Sequence, residues 1–179
     1  MEIIDKRKST AWVPAIEVLN EALPVFRKEN FKGIRNIVLM DKDYRNSTQN
    51  VSGRYCKIDG TNQADIEMFF DWHETLPTDL KESRLYIFYQ VTSTLLHEIY
   101  HHIIRGQKRL RRPPLKEETA ATKWAASGAM FAIKKTFSRE DHEDEWNRIK
   151  DTIRRERIRL GLDTDPTNTR QTSSSLPVG

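Results

Sequence analysis

The chain of 179 residues carries a single cysteine, Cys56. That excludes an intramolecular disulfide framework and any multi-cysteine metal site. A bound metal would have to be held by histidine and carboxylate. No stretch approaches 18 apolar residues, so no membrane-spanning helix is expected. Residues 1–10 lack the apolar run of a secretion signal. The expectation is an intracellular, cytoplasmic protein with no membrane partner. No glycine-rich phosphate loop is present. The excess of one charge sign is small, with 30 Lys and Arg against 26 Asp and Glu. The cations cluster in residues 105–116 and 148–159. Such runs usually form solvated faces, and nucleic acid is a less favoured partner.

Glycine and proline are also sparse, with seven of each, so the breaks between elements stand out. Residues 12–29 read as an amphipathic helix with Ile16, Leu19, Leu23 and Phe26 on one stripe, shortened or kinked by Pro24. Residues 34–40, 54–58 and 64–70 read as strands. Asp59-Gly60-Thr61-Asn62 suits a hairpin between the last two. A helix is expected over 80–104, with Leu85, Phe88, Val91, Leu95 and Ile99 as its apolar stripe and Gly106 as its stop. Pro113-Pro114 precedes a helix over 115–137, and a charged helix should cover 139–160. Residues 163–179, rich in Asp, Thr, Ser and Pro, read as a disordered tail after one domain spanning 1–162. Helix, three strands, then three helices predict the α+β class.

The chemistry concentrates in His97-Glu98-Ile99-Tyr100-His101. On a helix, residues four apart project from one face a turn apart, so His97 and His101 can bind one metal ion. The turn of about 100° per residue sets them opposite the Phe88, Leu95 and Ile99 stripe. Glu98 then occupies the general-base position of HExxH metallopeptidases, beside a zinc-bound water. His102 falls nearer the Leu95 side and is expected to be packed or hydrogen-bonded rather than ligating. A third ligand is required. Position 107, six residues after His101, is Gln107, so the metzincin pattern fails. No Asp or Glu occurs before Glu117 and Glu118, and an αα-hairpin could return either to the metal. Glu118 shares its side of the helix with Ala121, Ala125, Gly128, Ala129 and Ala132, small residues that permit close helix approach. Glu117 aligns with Trp124 and Phe131, expected to be the core-facing bulk. Both carboxylates remain candidates on spacing alone.

His97-Glu98-x-x-His101 followed by Glu118-x-x-Ala121-Thr122-x-x-Ala125 resembles the gluzincin pattern. It is most similar to the compact minimal gluzincins and to the soluble catalytic core of HtpX-type peptidases. The resemblance spans roughly residues 80–132 with specific motifs and is only architectural upstream. It implies a zincin-like fold, zinc (Zn2+) as cofactor, and His97, His101 and Glu118 as ligands. It also implies a small sheet before the active-site helix, whose edge strand pairs with extended substrate. Residues 64–70 are expected at that edge. The family pattern has Asp where this chain has Thr122, so a hydroxyl stands where a carboxylate normally orients a ligating histidine.

These readings together predict a zinc-dependent peptidase acting on a peptide or protein substrate through a zinc-bound water activated by Glu98. One alternative is a catalytically weak zincin-fold regulator that binds protein or nucleic acid. Another is a metal-free helical interaction module. The oxyanion-stabilising group has no spacing signal among His73, Tyr55, Tyr100 and Tyr86. Trp72-His73-Glu74 is expected as a surface turn and Cys56 as a small buried residue.

Overall fold

A computed structural model describes residues 1–8, 13–42, 52–106 and 114–159. The expected tail at 163–179 and most of the basic segment between the two long helices lie outside the described residues. No described helix is long and apolar enough to cross a membrane.

The architecture is α+β. One mixed four-stranded sheet lies against a helical layer. The strands are β1 (Glu2–Asp5), β2 (Ile34–Met40), β3 (Gly53–Lys57) and β4 (Ala64–Phe69), in the spatial order β1-β2-β4-β3. β1, β2 and β4 are parallel, and β3 joins β4 antiparallel. The hairpin from β3 to β4 turns through residues 59–62. The Ile58 N–H donates to the Gln63 carbonyl at 3.0 Å, and Gly60 takes φ +72, a value that glycine adopts at no steric cost.

Two expectations for the sheet are corrected. The sequence reading missed β1. This four-residue strand has its partner more than thirty positions away in β2, so its local pattern is too short to announce it. Residues 64–70 were expected at the edge, but β4 has β2 on one side and β3 on the other. Its buried residues Ala64, Ile66 and Met68 suit an interior strand. The edge strands are β1 and β3, and β3 is the one that packs against the long helix that follows.

The first helix is also shorter than its apolar periodicity suggests. α1 covers Ala15–Ala22 and gives way to 3-10 turns at Leu23–Val25 and Lys28–Phe31, since the Pro24 ring cannot continue an α-helix. Its buried side is Ala15, Val18, Leu19 and Ala22, while Ile16 is exposed. A further 3-10 turn at Asp71–Thr75 replaces the expected surface turn and buries His73. Cys56 is half-buried rather than buried.

α2 (Thr78–Lys81) is one short turn, and the long helix α3 begins only at Arg84 and ends at Gly106. Ser83 and Glu145 make that start. Glu145 Oε1 accepts from Ser83 Oγ at 2.9 Å and from the Leu85 N–H at 2.8 Å, satisfying donors that a helix start leaves open. Glu145 belongs to α5 (Glu143–Arg159), which therefore starts later than the expected position 139.

α4 (Pro114–Thr136) packs along α3. Ala121, Ala125, Ala129 and Ala132 are all buried at the contact. At Gly128 an added Cβ would lie 2.6 Å from Leu96 Cδ1. The small-residue stripe thus lets the two helices approach closely enough to face their polar ends. Phe131 departs from expectation, since half of it is exposed. The core lies between sheet and helices, around Leu85, Phe88, Tyr89, Leu95, Leu96 and Ile99 with Ile37, Leu39, Ile66 and Met68.

Candidate metal centre

α3 places His97 and His101 a turn apart on the face turned away from the core residues Leu95 and Ile99. The antiparallel return of α4 brings Glu118 to them. Donor atoms of His97, His101 and Glu118 all lie within 4.8 Å of one another, an arrangement that could hold a metal ion. The Nε2 atoms of His97 and His101 are 3.1 Å apart. Glu118 Oε2 is 3.1 Å from His97 Nε2, and its Oε1 is 3.3 Å from His101 Nε2.

The other nitrogens of the two rings fix which atoms carry protons. His101 Nδ1 lies 2.7 Å from Glu117 Oε1. An ionised carboxylate only accepts, so Nδ1 carries a proton and donates it to Glu117. Burial alone would raise the Glu117 pKa, but the hydrogen bond with His101 and the charge of Arg105 outweigh it and hold the carboxyl below its ordinary value. His97 Nδ1 lies 3.4 Å from Thr122 Oγ1. The Thr122 hydroxyl donates to the Glu118 carbonyl at 2.9 Å, leaving its oxygen to accept from His97. Burial first, then the neighbouring His101, lowers the His97 pKa against the opposing pull of Glu118. The lowered pKa favours the neutral ring at pH 7, and its Nε2 faces Glu118 Oε2 and His101 Nε2. The Nε2 atoms of both rings and the Glu118 carboxylate thus converge, with His97 Nε2 and Glu118 Oε2 at hydrogen-bond distance.

Glu118 and Glu117 thus divide the work between them. Glu118 turns to both Nε2 atoms and Glu117 to the far side of His101. The expectation that Glu117 aligns with core bulk is corrected, because its side chain lies beside His101 and Arg105. Thr122 stands at His97, where the resemblance anticipates a carboxylate.

Glu98 is buried between α3 and the edge strand β3. Burial is the main reason its carboxyl is pushed up to about 7. The Glu118 charge adds to this, while His101, the main-chain N–H of Tyr55 and Arg105 oppose it. The slot exists because position 53 is glycine. A Cβ there would lie 2.9 Å from both Glu98 Cγ and Oε1, and 3.0 Å from Thr94 Cγ2.

β3 faces the site with its free edge. Phe69 N–H bonds the Ser52 carbonyl, and Ile58 N–H bonds the Gln63 carbonyl. Main-chain direction alternates in an antiparallel pair, so positions 54 and 56 also face β4, while 53, 55 and 57 face outward.

The remaining sequence candidates lie around or away from this centre. His102 makes no approach to the donors. Its Nε2 lies 2.8 Å from the Lys32 carbonyl and its ring contacts Tyr55. The Tyr100 ring packs on His101 and Trp124. Tyr86 accepts from Gln90 at the start of α3, and His73 Nε2 is 3.5 Å from the Lys81 carbonyl. Sequence reading did not single out Gly53 or Arg105. Arg105 was legible, because it follows His101 by four residues on the same helix face. Gly53 was not, because its contact with Glu98 spans 45 positions of chain. Comparison with protein-family models, with curated proteins and with solved structures finds no match to this chain.

Proposed function

We propose that the chain is a zinc-dependent peptidase of the gluzincin type, with a zincin-like fold. The convergence of the His97 and His101 Nε2 atoms on the Glu118 carboxylate carries this reading. His97 Nε2 lies 3.1 Å from both His101 Nε2 and Glu118 Oε2, and His101 Nε2 lies 3.3 Å from Glu118 Oε1. Zinc–ligand distances near 2.0–2.1 Å and tetrahedral geometry imply donor separations of about 3.3 Å. The separations between the two nitrogens and their nearest Glu118 oxygens are close to that value, and a three-ligand set leaves a fourth position for substrate or water. Two histidines with one carboxylate is also a ligand set of catalytic rather than structural zinc.

A bound zinc ion supplies Lewis-acid chemistry, polarising a peptide carbonyl and bringing the acidity of water towards neutral pH. Glu98 accepts the proton of the attacking water and passes it to the leaving amine. Tyr55 N–H holds its carboxylate, and Glu117 and Thr122 fix the ring tautomers of His101 and His97. The outward-facing main chain of β3 other than the Tyr55 N–H, which Glu98 takes, offers hydrogen bonds to an extended peptide, which favours a peptide or protein substrate.

Glu98 beside the ligand set favours this reading over a regulator that keeps the fold without turnover, because a purely structural site has no use for a base in that slot. The test is hydrolysis of quenched fluorescent peptides by the zinc-loaded chain. Expected is activity that chelator abolishes, that zinc restores, and that Glu98→Gln lowers at least 100-fold while zinc content stays at one. Stoichiometric zinc with no turnover of any peptide would favour the regulator instead.

A further inference from the structure

We infer that Arg105 forms a carboxylate-binding subsite closing one end of the cleft, so that the enzyme prefers acidic peptides. The inference rests on the peptidase reading for its substrate class. Glu98 and the two histidines lie on α3, with β3 against Glu98 and the start of α4 against the histidines, and a substrate cleft would run between β3 and α4. Arg105 stands one turn beyond His101 and touches both β3 and α4. Its Nε donates to Glu117 Oε1 at 3.3 Å on α4. Its guanidinium carbon lies 5.5 Å from the centre of the Tyr55 ring on β3.

Because Glu117 Oε1 also bonds His101, the guanidinium is two hydrogen bonds from a metal-ligating ring. It is anchored by one nitrogen and stacked on an aromatic face. Its two terminal amino groups have no partner among the described residues, and half of its side chain is exposed. A held guanidinium with its fork free is built to receive a carboxylate in two parallel hydrogen bonds.

The direction of β3 says which part of a peptide reaches it. Gly53 lies by Thr94 and Glu98, whereas Tyr55 lies by His102 and Arg105, so β3 and α3 advance in the same sense. A peptide pairing antiparallel to β3 would place its N-terminal half at Arg105. An Asp or Glu side chain before the scissile bond is then the carboxylate received. A free C-terminal carboxylate has the same chemistry and would reach Arg105 only in a parallel pairing.

The test uses the zinc-loaded full chain carrying Glu98→Gln, which retains peptide uncut. Four fluorescein-labelled ten-residue peptides carry central Glu or Gln, each with a free or amidated C-terminus. Affinity is read by anisotropy, and zinc content is measured for every variant. Expected is about tenfold tighter binding of the Glu peptides than of the Gln peptides. The preference should be lost on adding Arg105→Gln and partly kept with Arg105→Lys. A preference that instead follows the free C-terminus and vanishes with Arg105→Gln keeps the subsite and assigns it to the peptide terminus. The inference is overturned if Arg105→Gln leaves the ratios unchanged, or weakens all four peptides equally. Cleavage by wild type without charge preference would sink the subsite and spare the peptidase reading. Charge-selective binding without cleavage by wild type would do the reverse.

Discussion

Glu98 bears the sharpest conflict between stability and chemistry in the molecule. Burial pushes its carboxyl up to about 7, against about 4.5 when exposed in the unfolded chain. The folded chain therefore holds this proton more tightly. Its contribution to stability is full below about pH 4.5 and is lost as pH rises through about 7. In the metal-free chain at pH 8 the ionised form costs about 3 kcal/mol. Glu98→Gln removes that cost and can still accept from the Tyr55 N–H. Denaturant unfolding in chelator should find Glu98→Gln more stable by a few kcal/mol at pH 8 and nearly unchanged at pH 5. An equal difference at both pH values would show that this group does not titrate as its burial implies. The helical spacing of His97, Glu98 and His101 was legible in the sequence, but this burial was not. It depends on β3, which reaches Glu98 only in three dimensions.

At the scale of elements, the close fit of β3 to α3 sets the base. Gly53 has its Cα against Glu98, and any side chain there meets Glu98 Cγ and Oε1 at 2.9 Å. Glu98 is buried, so it cannot swing into open solvent to make room. Gly53→Ala should shift the carboxylate by a fraction of an ångström to an ångström and lower kcat about 100-fold. The variant should bind zinc normally, because the ligands come from α3 and α4. Steady-state kinetics beside zinc titration checks this, and a loss of zinc affinity equal to the loss of kcat would assign Gly53 to the scaffold instead. The α3–α4 pairing was well anticipated, since an Ala-rich stripe at helical spacing carries its own packing rule. The strand order was not. Local alternation identifies strands but says nothing about which neighbour each one meets, so β4 was placed at the edge that β3 occupies. The break before Arg84 was equally hidden, because Glu145 stabilises it from 60 positions away.

Across the whole molecule, the α+β class followed from the order of the elements. The division of labour between two adjacent glutamates did not, because spacing alone leaves both within reach. In the structure α4 enters the site at an angle that turns Glu118 to both Nε2 atoms and Glu117 to the back of His101. Glu117 accepts a hydrogen bond from His101 Nδ1 and so places a carboxylate behind one proposed ligand, even though Thr122 holds the position behind the other. A carboxylate in that place ordinarily changes metal affinity by 10–100-fold.

The central claim is that this geometry is a three-ligand zinc centre. Zinc stoichiometry and affinity of the purified chain, measured by native mass spectrometry and competition titration, test it most directly. The account predicts one zinc per wild-type chain. It also predicts none retained by Glu118→Ala, and one retained by Glu117→Gln with affinity weaker by about 10–100-fold. Absence of zinc from wild type after equilibration with the metal, or full occupancy of Glu118→Ala at unchanged affinity, would contradict it.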